Sequence, residues 1–184
     1  MPDGDDSWYI DAPLLKEDRY ESYLAELIEL VSEHYPLSQK PAQRAIGGWS
    51  MGGYGAMHYL VNHPDQFSSI VTLIGLLDFP RSGLPEGQSY PVPEQRFGSD
   101  EEHWKSFNSL YKATELREKS IYLITGDSAF DRTMNENFSR RLNELEIKHQ
   151  YDVLEGGHTF TVVRAGVQRL VPFLNKHFAA QEPQ

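Results

Sequence analysis

The chain has 184 residues, of which 39% are hydrophobic, 12% aromatic and 24% charged. These values predict one folded domain with an apolar core, and no run of about 18 apolar residues could span a bilayer. A net charge of −10 without a Lys/Arg cluster argues against nucleic acid or an anionic membrane as a partner. The absence of cysteine excludes disulfides and thiolate catalysis. Because the first residues lack the pattern of a signal peptide, we expect a cytoplasmic protein.

Short apolar runs alternate with longer amphipathic ones along the chain. The first predicted helix begins near Tyr20 and ends before Pro36. The elements predicted after it are a strand at 44–48, a helix at 53–62, a strand at 69–74, a helix at 101–111, a strand at 121–125, a helix at 132–145, a strand at 150–154 and a helix at 161–178. Strands separated by helices predict a parallel sheet covered on both faces, hence an α/β fold in a single domain over 1–184.

The segment 75–119 is rich in Pro, Gly and Ser and interrupts this alternation. We interpret it as a loop or lid whose apolar side chains could roof an acyl or aryl pocket. These side chains are Leu76, Leu77, Phe79, Tyr90, Phe97 and Trp104. A packed surface loop is an equally weighted alternative.

The most informative motif is Gly48-Trp49-Ser50-Met51-Gly52, a Gly-x-Ser-x-Gly pattern between a predicted strand and a predicted helix. In this context the serine occupies a sharp, strained turn, and its Oγ projects above the sheet. Side chains two residues before and after it would collide with backbone, so both positions are predicted to require glycine. The Met51 N–H is predicted to stabilise an oxyanion. The alternative is a turn whose serine only caps the helix.

A serine hydroxyl is a weak nucleophile without a base, and His158 is the best placed of the seven histidines. It follows Glu155-Gly156-Gly157 on a loop just beyond the last predicted strand. This is where the base belongs when serine, acid and histidine occur in that chain order. We interpret the other six histidines as structural.

The acid that would orient this histidine is predicted to be Asp127, directly at the end of the 121–125 strand. Asp131, four residues further on, is the open alternative for this role. Its position just before a predicted helix favours a capping function instead.

Several strings together resemble the esterase-D-like family of the α/β-hydrolase superfamily. They are Ser7-Trp8-Tyr9-Ile10, Tyr20-Glu21-Ser22-Tyr23, the run from Gly48 to Ala56, His63-Pro64 and the run from Gly156 to Phe160. The family includes S-formylglutathione hydrolases, tributyrin and feruloyl esterases, and mycolyltransferases, and the resemblance covers nearly the whole chain. It implies an α/β-hydrolase with Ser50 as nucleophile, His158 as base and the Met51 N–H in the oxyanion hole.

The chain departs from the family pattern in two places. Members usually carry the acid in Gly-x-x-Asp after this strand, and alignment on Gly126 puts Ala129 there, which implies impaired catalysis. The match also begins partway through the family's fold, so we expect the N-terminal strands, and a loop that donates the second oxyanion N–H, to be lacking. The edge of the 44–48 strand should then be exposed, and we predict that it pairs with a second copy in a homodimer.

The resulting prediction is a serine carboxylesterase that hydrolyses short-chain acyl or aryl esters and needs no metal or organic cofactor. Two alternatives stay open. An acyltransferase would use the same residues with an alcohol or thiol acceptor in place of water. A catalytically impaired remnant would act as a binding or interaction protein, and both departures favour it.

Overall fold

The computed structural model describes residues 2–181. Four strands form one parallel sheet in the order β1-β2-β3-β4, so each strand lies beside the next one along the chain. The strands are β1 (Ala45–Trp49), β2 (Ser69–Leu73), β3 (Ser120–Gly126) and β4 (Gln150–Leu154). The helices are α1 (Tyr20–His34), α2 (Met51–Asn62), α3 (Glu94–Phe97), α4 (Glu101–Trp104), α5 (Arg132–Glu144) and α6 (Phe160–Ala179). The predicted α/β fold with four strands is confirmed.

The two central strands are apolar on both faces because helices cover both sides of the sheet. Every residue of β2 is buried, and two consecutive residues of the strand, Ile70 and Val71, belong to different hydrophobic clusters. Ile70 lies in the cluster that includes side chains of α1, α2 and α5, whereas Val71 packs with α6. All four strands end at the same edge of the sheet, where the functional side chains of such folds are found.

Most of the apolar side chains that were predicted to roof a pocket in the segment 75–119 are buried in the protein. Leu76, Phe79, Phe97 and Trp104 are at most 9% exposed and form a cluster with Trp8 from the N-terminal segment. Leu77 belongs to the main core, and Tyr90 alone of the six apolar side chains stays exposed. This arrangement favours the packed-loop alternative over a lid lined by these residues.

The predicted helix over 101–111 is wrong, because one helix ends and a second begins within that stretch. Helix α4 ends at Trp104, and a 3₁₀ helix runs separately from Ser109 to Leu116. Asn108 begins this second helix, since its side chain accepts a hydrogen bond from the Leu110 N–H. The Asn108 amide also donates to the buried Asp78 carboxylate, which anchors the break in the core.

Within residues 2–181, β1 pairs only with β2, so its outer edge has unpaired backbone groups as predicted. An open groove of about 920 Å³ runs along this edge. It extends from Ser50 to Arg44 and is flanked by apolar side chains of α1 and α6, among them Leu27, Ile28, Leu174 and Phe178. No helix among the described residues is long and apolar enough to cross a membrane.

Candidate active site

Ser50 stands on the turn between β1 and α2 with a backbone conformation that L-residues rarely adopt, φ 53° and ψ −125°. Its N–H donates to the Leu73 carbonyl of β2 at 3.0 Å, which anchors the turn to the sheet. Its side chain makes no capping bond to α2, so the alternative of a purely capping serine is not observed. The turn instead presents Oγ to His158.

Only one of the two motif glycines is required by space. A Cβ at Gly48 would overlap the Gly52 carbonyl, whereas a Cβ at Gly52 would meet nothing within 4 Å. The prediction that both positions need glycine is therefore wrong for Gly52. The second tight position is Gly53, where a Cβ would lie 2.8 Å from the Gly75 Cα.

A continuous line of hydrogen bonds joins Ser50, His158 and Asp131. Ser50 Oγ lies 2.8 Å from His158 Nε2, and His158 Nδ1 lies 2.7 Å from Asp131 Oδ1. Asp131 is fully buried, and the His158 side chain is 18% exposed. With Asp131 ionised, the imidazole carries its proton on Nδ1 and leaves Nε2 free to accept the serine proton.

The structure brings Asp131, not Asp127, to His158, so the choice of Asp127 as the acid is corrected. Asp127 turns outward, and its Oδ1 accepts a hydrogen bond from the Gly156 N–H at 3.0 Å. That bond is the main reason why the pKa of Asp127 is lowered. Asp127 thus ties the end of β3 to the loop that carries His158.

Ala129 lies in the turn between these two aspartates and is fully buried. Its carbonyl accepts a hydrogen bond from the Arg132 N–H at 3.1 Å. Helix α5 begins at Arg132, directly after this turn, and the carboxylate that reaches His158 comes five residues after Gly126 rather than three. A carboxylate therefore lies against His158 although alanine occupies the family's usual acid position.

Two aromatic contacts involve His158 itself and Trp49, the residue directly before Ser50. The Phe130 ring lies 4.5 Å from the His158 ring, and Trp49 packs against Phe160 at 4.8 Å between centroids. Phe160 is 59% exposed, so part of this second pair is accessible apolar surface. Sequence reasoning missed Phe130, although its place directly before Asp131 is the signal that could have found it.

A second histidine–carboxylate cluster joins α1 to α2, away from Ser50. Glu21 accepts hydrogen bonds from His58 at 3.2 Å and from His63 at 2.9 Å. Burial alone would raise the pKa of Glu21, but hydrogen bonds and charge from His58 and His63 outweigh it and lower that pKa. Among residues 2–181 no group of three or more His, Asp or Glu side chains is arranged to bind a metal ion.

The fold and this hydrogen-bonded line are those of an α/β-hydrolase with a serine at the strand–helix turn. A family model described as "Putative esterase" matches residues 1–174, and the chain belongs to this esterase family.

Two curated relatives carry esterase names. An acetyl esterase of Caldicellulosiruptor saccharolyticus is 29% identical over 177 residues, covering 86% of this chain and 64% of the relative. An esterase of Mycobacterium tuberculosis is 25% identical over 195 residues, covering 87% of this chain and 41% of the relative. The chain therefore spans less than two thirds of the length of either relative.

Solved structures share the fold at low identity. A fluorophosphonate-binding serine hydrolase of Staphylococcus aureus superposes with a TM-score of 0.81 at 20% identity, over 95% of this chain and 69% of that one. A ferulic acid esterase gives a TM-score of 0.74 at 22% identity, over 92% of this chain and 64% of that one. At these identities the likeness establishes the architecture.

Proposed function

We propose that the protein is a serine carboxylesterase in which Ser50 is the nucleophile, His158 the general base and Asp131 the acid. The observation that carries the proposal is the pair of hydrogen bonds, 2.8 Å from Ser50 Oγ to Nε2 and 2.7 Å from Nδ1 to Asp131 Oδ1. Membership of the esterase family supports the reaction class.

In the first half-reaction the Ser50 Oγ–H proton passes to His158 Nε2 while Oγ bonds to the ester carbonyl carbon. The carbonyl oxygen becomes an oxyanion, for which the Met51 N–H at the start of α2 is a donor without an intrahelical acceptor. The proton on Nε2 then goes to the leaving alkoxide, and an acyl-enzyme remains. Water then gives a proton to Nε2 while its oxygen bonds to the acyl carbon. The bond from that carbon to Oγ breaks, the carboxylic acid leaves, and the proton on Nε2 returns to Ser50 Oγ.

Short-chain acyl or aryl esters are the proposed substrate class. The exposed Phe160 ring, which packs against Trp49 directly before Ser50, offers apolar surface to a small acyl or aryl group. The acetyl esterase relative agrees with a short acyl group. Product analysis with an added alcohol separates hydrolysis from acyl transfer.

Covalent labelling with a fluorophosphonate tests the proposal directly. We expect the probe to label the wild-type protein at Ser50 and to leave Ser50→Ala unlabelled. Wild-type protein that stays unlabelled on long exposure and hydrolyses no aryl acetate would contradict the esterase proposal. That result would favour the remnant that acts by binding alone.

We also propose that a second copy of the chain pairs with the outer edge of β1. The edge has unpaired backbone groups, and the groove beside it is lined by apolar side chains of α1 and α6. Two copies related by a two-fold axis would pair β1 with β1 and close the contact. Light scattering that gives a monomer at micromolar concentration would overturn this proposal.

A further inference from the structure

The second oxygen of the Asp131 carboxylate is bound as fully as the first. While Oδ1 faces His158, Oδ2 accepts a hydrogen bond from the Thr125 hydroxyl at 2.6 Å. The Asn135 side-chain amide also lies 2.9 Å from Oδ2. All three side chains are fully buried, so no bulk water competes for these contacts.

The two donors come from elements that hold them rigidly. Thr125 is the penultimate residue of β3 and pairs with Val153 of β4. Asn135 lies in the first turns of α5, and its amide also donates to the Gly75 carbonyl at 2.7 Å, beyond the end of β2. The Asp131 carboxylate is therefore held from β3 through Thr125 and from α5 through Asn135. The Asn135 amide is in turn bound to the segment that follows β2.

We propose that Thr125 and Asn135 are positioning residues that keep Asp131 ionised and turned toward His158. The proposal rests on the proposed esterase function, because it concerns the acid of that mechanism. Donors to Oδ2 favour the charged carboxylate and oppose rotation about the bond to Cβ. A fixed carboxylate in turn holds the Nδ1–H tautomer and keeps Nε2 facing Ser50.

No other titratable side chain is hydrogen-bonded to Asp131 among residues 2–181 apart from His158. Tyr151 of β4 is close enough to feel the Asp131 charge. Burial, with Glu136 and Asp131 adding to it and Arg132 opposing, raises the pKa of Tyr151 to about 12. Tyr151 therefore stays neutral at neutral pH, and Asp127 is turned away toward Gly156.

The test compares Thr125→Val with Thr72→Val. Both changes remove a hydroxyl from a fully buried strand position, but the Thr72 hydroxyl has no hydrogen-bond partner. We expect Thr125→Val to lower kcat for an aryl acetate about 10-fold. Its pH–rate profile should keep its shape while the midpoint of the acid limb moves, because the lost hydroxyl is a donor to the carboxylate that faces His158.

Thr72→Val should match the wild type, and Thr125→Ser should restore both kcat and the midpoint. Asn135→Ala, judged by the same two measurements, serves if Thr125→Val does not fold. A folded Thr125→Val or Asn135→Ala with the kcat and midpoint of Thr72→Val would overturn the proposal.

An NMR titration of the His158 imidazole in wild type and Thr125→Val needs no substrate. A shifted titration supports the positioning role, and an unchanged one contradicts it. Failure of the esterase proposal is recognised separately, as wild-type protein that neither reacts with the fluorophosphonate nor hydrolyses esters.

Discussion

Two histidine–carboxylate pairs lie in this molecule with nearly the same local chemistry, one at Asp131 and one at Glu21. In both pairs a carboxylate oxygen is within about 3.2 Å of an imidazole nitrogen, and the carboxylate is largely buried. They differ in what the far side of the imidazole touches. His158 faces the Ser50 hydroxyl beside an open groove, whereas His58 faces the backbone carbonyl of Phe107. Catalytic potential therefore depends on the group that the second imidazole nitrogen contacts rather than on the histidine–carboxylate pair itself.

The largest expected effect comes from breaking the first pair. Asp131→Asn should lower kcat about 10³- to 10⁴-fold, because the imidazole loses both its tautomer and the stabilisation of its cation. Asp127→Asn is the matched control and should change kcat less than about threefold, since the Asp127 carboxylate binds the Gly156 N–H and not His158. Steady-state hydrolysis of an aryl acetate measures both. Equal losses in the two variants would return Asp127 to the role of acid.

A second prediction concerns the turn between β1 and α2, which presents Ser50 to His158. Gly48→Ala should lower the free energy of unfolding by about 1–3 kcal/mol, because the new methyl group overlaps the Gly52 carbonyl. Gly52→Ala places a methyl group in open space within a helix and should hold or raise it by up to about 1 kcal/mol. Denaturant titration of both variants gives these values. Indistinguishable stabilities would mean that the turn relaxes around the added carbon.

Weakening the contacts of Glu21 should lower the stability of the protein and leave kcat unchanged. Glu21→Gln weakens charge-assisted bonds to His58 and His63 and should cost about 1–2 kcal/mol of unfolding free energy. Its kcat should equal that of the wild type. Glu29→Gln changes an exposed residue of the same helix and is the control for loss of charge. A fall in kcat at unchanged stability would show that the second pair also serves the reaction.

The smallest expected effect is the pH dependence of that stability. Because the folded state lowers the pKa of Glu21, its contribution is complete above the ordinary value of 4.5 and is lost as the pH falls through the lowered value. The difference in unfolding free energy between wild type and Glu21→Gln should therefore be level just above pH 4.5 and shrink below it. Chemical denaturation at a series of acid pH values measures this. A difference that grows toward acid would reverse the sign of the assigned shift.

The four strands could be predicted because short runs of strand-forming residues alternate along the chain with longer amphipathic segments. Ser50 and His158 could be predicted as well, since the first stands in a motif tied to a strand–helix turn and the second follows a strand in the expected order. The helix predicted over 101–111 failed because Asn108 bonds to Asp78, a partner 30 residues away. Local periodicity contains no information about such a contact.

The sequence by itself determined the parallel α/β fold, the serine and histidine at the carboxyl edge of the sheet, and the exposed edge of β1. Those features follow from local patterns of apolar residues, glycines and chain order. Only the tertiary structure decided that Asp131 rather than Asp127 meets His158. Both aspartates follow β3 closely, and the choice depends on how the turn through Ala129 folds and on the Thr125 and Asn135 donors, which meet Asp131 only when β3 and α5 are packed together.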